Sequence, residues 1–454
     1  MKETEENKTE PVQVILRSDY LKKSVDNFIK HLESLADTYP LVVAILKGTS
    51  MASQKKFNDF LKAECVAKDE TETSYTVPIE KINKSKLLRR KVDNTSLAAQ
   101  LVPRNFIVSL LSEFDTYLGH IIRAIFYLKP ELLNASEKNL SFSKLLELEN
   151  VESAREYIIE KEIETVLRDS HSQQFKWLEN KIDTKLTIDL KSWKPFIELT
   201  ERRNLFVHND GIVNSQYLSV CKTNGVELSD KIKLGTKLKV TESYFLNAYR
   251  CVFDIGVKLS QVIWRKFIPE ETLEADTSFI GIIYDQIVRN ENKLAIELSD
   301  FATHKVIKHH NQDTKLTCII NKAQAYKWNG ENDKCVEIIS SIDWSACSDK
   351  FKLVSQILLN DFDNAIVAMQ KLGANDDEIT KEAYRDWPVF KEFRDSPQFL
   401  ETYEKVFGVK YEKQEIDDGL FTTIKKEVVE TQKSVEQADE NNTAHNNGIA
   451  NSGA

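Results

Sequence analysis

Apolar residues recur every three or four positions along most of this chain, and strict two-residue alternation is scarce. The pattern predicts a mainly α-helical protein. Tyr20-Leu21, Val25, Phe28-Ile29 and Leu32 fall at helical spacing within residues 13–65, which read as helix. Residues 66–98 are polar and read as irregular. A long helix is expected to open at Pro103, since proline suits a first helical turn. It runs through Phe106, Leu110, Phe114, Tyr117, Ile121, Ile125 and Leu128 to a stop near Pro130. A second periodic stretch carries Ala154, Ile158, Ile159, Ile163, Val166 and Leu167. A third opens at Pro195 and ends near Asp210-Gly211, where glycine suits a left-handed cap. Between Tyr217 and Val240, short β-like pieces flank the turn signal Asn224-Gly225. The fourth, Glu242 to Lys266, repeats Phe245, Ala248, Val252, Ile255, Leu259 and Val262, and Pro269 closes it. Four long helices with one apolar face each predict an antiparallel four-helix bundle.

After Pro269 the pattern shortens. Ala323 to Tyr326 followed by Cys335 to Ile339 reads as a helix pair, and Leu353 to Leu359 followed by Ala365 to Met369 repeats it. Asp386 to Phe390 and Phe399 to Tyr403 close the array. The period is similar to that of tetratricopeptide-type helical hairpins ending in a cap. Gly330 fits that pattern, while the aromatic and alanine positions are only partly filled. The expected organisation is a disordered start (1–12), a helical N-terminal accessory region with a basic linker (13–98), the bundle (99–269), a tetratricopeptide-like region (270–411) and an acidic, Asn-rich, disordered tail (412–454). A helical stretch from Phe421 to Val435 is compatible with that tail.

Composition narrows the function classes. A chain of 454 residues allows two or three domains, and 41% hydrophobic residues supply their cores. The six cysteines are scattered, with no CxxC and no zinc-spaced cluster, so they read as reduced, mostly buried thiols of a cytoplasmic protein. No metal site and no cofactor are expected. Met1 to Glu10 is polar and acidic, unlike a secretory signal. No apolar run approaches the roughly 20 residues of a membrane span. A net charge of −9 argues against a large basic surface. From Glu412 onward the net is −5 and over the first ten residues −2, which leaves the body near neutral. A basic run, Lys81, Lys84, Lys86, Arg89, Arg90 and Lys91, lies in the polar region. It reads either as a solvated linker or as a contact for an RNA backbone.

The chemistry concentrates in Glu201-Arg202-Arg203-Asn204-Leu205-Phe206-Val207-His208-Asn209-Asp210-Gly211. On a helical wheel Phe196, Leu199, Phe206 and Val207 define an apolar arc with Arg203 in its middle, Asn204 inside it and His208 at its edge. Arg202 points the other way, with Glu198 and Leu205. A guanidinium on an apolar side is costly to bury unless it is paired, so Arg203 is expected at a seam, a cleft or a partner subunit. RNA carries its own nucleophile, the 2′-hydroxyl. An imidazole serves as acid or base near neutral pH, and a guanidinium forks onto phosphate oxygens. Asn204, one turn before His208, is placed to orient the ring or to donate to the phosphate. One histidine cannot be base and acid in the same step, which gives a reason to expect a C2 pair.

The Arg-x4-His spacing, the Asn after the arginine, the apolar spacer, Asn209-Asp210-Gly211, and Trp193 and Tyr217-Leu218 around them resemble the HEPN superfamily. The resemblance implies a bundle over about residues 100–268. It also implies metal-independent RNA cleavage to a 2′,3′-cyclic phosphate, as toxins or phage-defence effectors, with two bundles pairing so that both motifs line one cleft. Arg203 and His208 map onto the family's essential pair and Asn204 onto the polar neighbour. Not every member cleaves RNA, so a non-catalytic adaptor that dimerises and binds a partner through its helical repeats stands as the alternative. Elsewhere, Glu113 and Asp115 read as salt-bridge partners and His309-His310 as solvated surface. No glycine-rich phosphate loop, GxSxG or HExxH is present.

Overall fold

A computed structural model describes residues 17–68, 74–133, 140–148, 150–305 and 307–413. The start (1–12) and nearly all of the tail, including the stretch from Phe421 to Val435, lie outside these residues. The described protein is all-α apart from one short ribbon. In chain order the elements are α1 (Asp19–Glu64), β1 (Val66–Ala67), β2 (Tyr75–Thr76), α2 (Ile82–Leu128), α3 (Phe142–Glu147), α4 (Val151–Leu167), α5 (His171–Ile182), α6 (Trp193–His208), α7 (Ser215–Thr223) and α8 (Glu242–Phe267). There follow α9 (Thr272–Val288), α10 (Asn292–Ala302), α11 (Gln312–Trp328), α12 (Asn332–Ser340), α13 (Asp349–Leu358), α14 (Phe362–Leu372), α15 (Lys381–Asp386) and α16 (Pro397–Phe407). β1 and β2 pair antiparallel, Val66 opposite Thr76.

Two of the expected elements differ in the structure. The helix thought to open at Pro103 starts 21 residues earlier, and Pro103 lies inside the 47-residue α2. A proline deep in a helix costs about 3 kcal/mol in an isolated segment, and here its ring is buried, so packing offsets the lost hydrogen bond. The basic run therefore sits on the first turns of α2 and the residue just before it, not in an irregular linker. Second, Ser215–Thr223 is helical. The Asn214 side chain accepts the Tyr217 N–H and caps its start, which overrides the β-leaning residues that follow. β-like pairing appears elsewhere: Ile212 bridges Lys237, and the Leu238 N–H donates to the Gly211 carbonyl at 2.8 Å.

Packing divides the chain into two compact units whose boundaries fall inside α1, α2, α6 and α8. One contains the described residues up to 30 with 112–197 and 250–412. Phe114 stands at its centre, against Phe28, Phe175 and Phe196. Phe28 stacks on Tyr117 with ring centres 4.1 Å apart, and the Tyr117 hydroxyl donates to the Gly256 carbonyl. A Cβ on Gly256 would run into the Phe28 ring, so α1 and α8 approach here at glycine distance. Farther along, α9–α10, α11–α12 and α13–α14 are three helical hairpins, and the latter two share with the elements after them a continuous core that includes Leu316, Phe351 and Phe390. Each turns through one left-handed residue: Asn290, Gly330 and Asn360. After each, the N–H of Glu291, Glu331 or Asp361 donates back to Gln286, Tyr326 or Gln356 at 2.9 Å. The same turn is built three times. The His309-His310 pair differs from expectation: His309 is no solvated residue. Its Nδ1 lies 3.0 Å from Asp276 and its Nε2 2.9 Å from the Ala302 carbonyl, because the buried Asp276 carboxylate gathers Arg265, His309 and the His310 N–H.

The second unit contains 31–111 and 198–249. Tyr39 stacks on Phe245 at 3.9 Å and Phe106 meets both edge-on. Burial raises the Tyr39 phenol to about 12, and Glu242 adds to the shift. Toward the ribbon, Glu64 holds both Lys81 and Lys84, while Lys84 and Arg89 lie over the rings of Phe60 and Phe57. A smaller core gathers Leu205, Val213, Tyr217, Cys221 and Leu238 around the end of α6.

Candidate active site

The end of α6 is built to a fixed stop. Asn209 and Gly211 both donate their N–H to the Leu205 carbonyl at 2.9 Å. Asp210 (φ 48°) and Gly211 (φ 76°) are left-handed, so the helix cannot continue. Two cations then hold the Asp210 carboxylate: Lys237 at 2.7 Å and Arg104 at 2.7 Å, with Arg104 also donating to the Asp210 carbonyl. These bonds, from Lys237 first and then Arg104, keep the Asp210 carboxyl below its ordinary range. Arg104 is buried and lies 5.5 Å from the Phe206 ring centre.

The wheel misplaces the two arginines. In the last turns of α6 it is Arg202 that is buried, with Leu205, while Val207 is 49% exposed. Arg202 Nε donates to Glu198 at 2.7 Å, one turn earlier, and its guanidinium sits 3.9 Å over the Tyr244 ring. The same carboxylate accepts the Tyr217 hydroxyl at 2.6 Å and the Tyr244 hydroxyl at 2.8 Å. Burial, and after it the Glu198 charge, hold the phenols of Tyr217 and Tyr244 well above their ordinary range, so both stay donors. A wheel counts Glu198 and Arg202 as polar and turns them outward. Once paired with each other and two phenols, they are an internal network.

Arg203 is half-buried on α6. Asn204 is half-buried too, and its amide donates to Glu201 at 3.3 Å rather than to His208. His208, the last residue of α6, is exposed. The helix carries all three, His208 one turn beyond Asn204 and about 140° round the helix from Arg203, with the imidazole open to solvent at its end. The basic run belongs to another helix of the same unit. Lys84 is tied to Glu64 and Arg89 lies 3.6 Å from Asp93, whereas Lys86, Arg90 and Lys91 stand exposed. The Asp115 carboxylate lies 2.9 Å from His171 Nε2, a pair that becomes a salt bridge when the ring is protonated.

Sequence reading missed a second cationic segment. Lys237 and Lys239 are exposed on the strand-like stretch that pairs with residues 211–213, directly after the motif helix, and Lys231 and Lys233 are exposed in the loop that leads into it. The alternation Lys237-Leu238-Lys239, with Leu238 buried, was its visible signal. Among the described residues no group of three or more His, Cys, Asp or Glu side chains is arranged to hold a metal ion, and no helix is long and apolar enough to cross a membrane. Compared with family models, curated proteins and solved structures, the chain matches none.

Proposed function

We propose that the chain is a metal-independent endoribonuclease of the HEPN type, acting on RNA as a homodimer in the cytoplasm as a toxin or phage-defence effector. The observation that carries this reading is the exposed imidazole of His208 at the fixed end of α6, next in the fold to a segment of four exposed lysines tethered there by Lys237 and Asp210. Cations draw in the phosphate backbone, and an open imidazole is what proton transfer to or from a ribose-phosphate requires. In the reaction a base takes the 2′-hydroxyl proton and the 2′-oxygen attacks phosphorus. The 5′-oxygen then leaves as its acid partner protonates it. His208 of one protomer supplies one of these roles and the symmetry mate supplies the other, while Arg203 steadies the charge on phosphorus. Asn204 orients the substrate phosphate. Residues 99–269 then serve as the HEPN bundle, and the hairpins of 270–411 as a tetratricopeptide-like arm for a protein partner.

The test is direct. Purified wild type and His208→Ala are incubated with mixed RNA without added metal, and the ends are mapped. Wild type is expected to leave 2′,3′-cyclic phosphate and 5′-hydroxyl ends, and His208→Ala to lose at least about a hundredfold in rate, the usual scale for a general acid or base. Equal decay in both proteins, or none in either, overturns the nuclease and leaves the adaptor reading, in which the half-buried Asn204 and Arg203 serve α6 itself.

A further inference from the structure

Away from that helix end, a cavity of about 930 Å³ opens within the first unit between the loop after α5, α8 and α10. Its size falls in the range of small-molecule sites. The wall is rigid: Glu179 accepts the N–H groups of Leu186 and Thr187 and the Thr187 hydroxyl, which fixes the loop. The floor is apolar, made by Leu259 and Val262 of α8 and Phe301 of α10. Part of the lining is cationic. Lys185, Lys266 and Lys308 belong to it: Lys266 donates to Thr184 and the Asp183 carbonyl, next to Lys185, rather than to an acid, and the Lys308 carbonyl accepts from Arg265, next to Lys266. The only carboxylate near these three ammonium groups in an ion pair, among the described residues, is Glu179, 3.5 Å from the exposed Lys185. Such lysines also suit the C-terminal end of a helix, but that role does not call for a pocket in front of them.

Elsewhere in the lining, beside Lys191 and Lys258, Glu297 is half-buried, and among the described residues it makes no hydrogen bond or ion pair. Burial, then the Asp254 charge, hold its carboxyl above the ordinary range, against Lys258, Lys191 and Arg250. Asp300 beside it is already taken by Lys191 and Lys322. Leu259 and Lys266 are separated by about 10 Å along α8. We propose that this cavity binds a nucleoside phosphate, with the phosphate against Lys185, Lys266 and Lys308, the base over Leu259, Val262 and Phe301, and a base amino group on Glu297. A phosphorylated acyl chain shares the anion and the apolar body. It has nothing to offer the half-buried Glu297 carboxyl, which makes the nucleotide the better fit.

The site goes beyond the ribonuclease reading and stands whether or not His208 is catalytic. The test is calorimetric titration of the full chain, without divalent metal, using GTP, ATP, pyrophosphate and lysophosphatidate as probes. Saturable binding of GTP or ATP, tighter than pyrophosphate and weakened about tenfold or more by Lys266→Glu with Lys308→Glu, is the expected result. Lys308→Glu alone, at an exposed side chain, keeps the test sound if the double variant melts early. Glu297→Gln should change the ratio of GTP to ATP affinity without changing pyrophosphate binding. Pyrophosphate binding as tight as the nucleotides, preference for lysophosphatidate, nucleotide binding indifferent to Lys308→Glu, or no binding at all overturns the proposal.

Discussion

Two neighbouring arginines separate structure from chemistry. Arg202 is enclosed by Glu198, Tyr217 and Tyr244, and removing one member of a buried pair leaves the other charge without compensation. Arg202→Ala is therefore expected to cost about 3–5 kcal/mol, read as a fall in the urea midpoint. Arg203→Ala, at a half-buried residue, should lower that midpoint less than Arg202→Ala while, on the proposed function, abolishing RNA cleavage. The reverse pattern would mean that the proposed roles of the two residues are exchanged. The sequence put Arg202 on the face away from the apolar arc and expected Arg203 at a seam, a cleft or a partner subunit, whereas Arg202 is the buried one. The wheel could not see that Glu198, a turn before Arg202, would join two tyrosines from α7 and α8 around it. A second charged centre titrates. Asp276 is held at about 2, below its ordinary 3.8, because the bonds from His309, the His310 N–H and Arg265 outweigh the opposing effect of burial, the largest single influence. A lowered folded-state value stabilises the protein above the unfolded value and loses that contribution as pH falls. The loss should therefore run from about pH 4 down to about pH 2 and amount to about 2 kcal/mol. Urea melts across that window should show a steeper decline for wild type than for Asp276→Asn, and parallel slopes would refute the network.

At the scale of elements, periodicity located the helices wherever an apolar stripe was continuous, as in α4, α6 and α8. It failed where the stripe was thin. The first turns of α2 expose Leu87 and Leu97 and carry mostly charge, so nothing in their hydropathy distinguishes helix from linker. α5 had no reading at all, although Phe175, Leu178 and Ile182 are buried on one of its faces. In the array, Gly330 was legible as a turn, but Asn290 and Asn360 were not matched to it. Asparagine is one of the few side chains that tolerates the left-handed region, and only the repeated hydrogen bond reveals the equivalence. Glycine at 256 makes a sharper claim. Because a methyl there meets the Phe28 ring, Gly256→Ala should destabilise by about 1–3 kcal/mol through overpacking, even though alanine favours a helix. Gly256→Ala combined with Phe28→Leu should recover part of that loss. A Gly256→Ala protein that melts at or above wild type would show that α1 does not pack on α8 as described.

Across the whole molecule, net charge conceals a local excess of the opposite sign. The chain is −9 overall, yet residues 41–64 and 81–100 hold ten lysines and arginines against three acids, and the exposed lysines of 231–239 lie in the same unit. Counting charge over the full sequence therefore argued too strongly against a nucleic-acid surface, since the acidic ends mask the middle. Not every cation here is available: Lys81 and Lys84 are spent on Glu64. Lys86, Arg90 and Lys91 are exposed, and these three are expected to carry the long-range attraction for RNA. In a His208→Ala background, which the proposed function expects to bind RNA without cutting it, changing all three to glutamine should weaken single-stranded RNA binding at low salt by the same factor for every sequence. Each lost phosphate contact reduces the slope of log affinity against log salt by about 0.7, so loss of all three lowers it by about 2. Fluorescence anisotropy from 50 to 300 mM salt (roughly the range over which such contacts are screened) measures both quantities together. An unchanged slope would make the run on α2 a solvated face and leave the lysines of 231–239, beside the exposed His208, as the cations that hold the substrate.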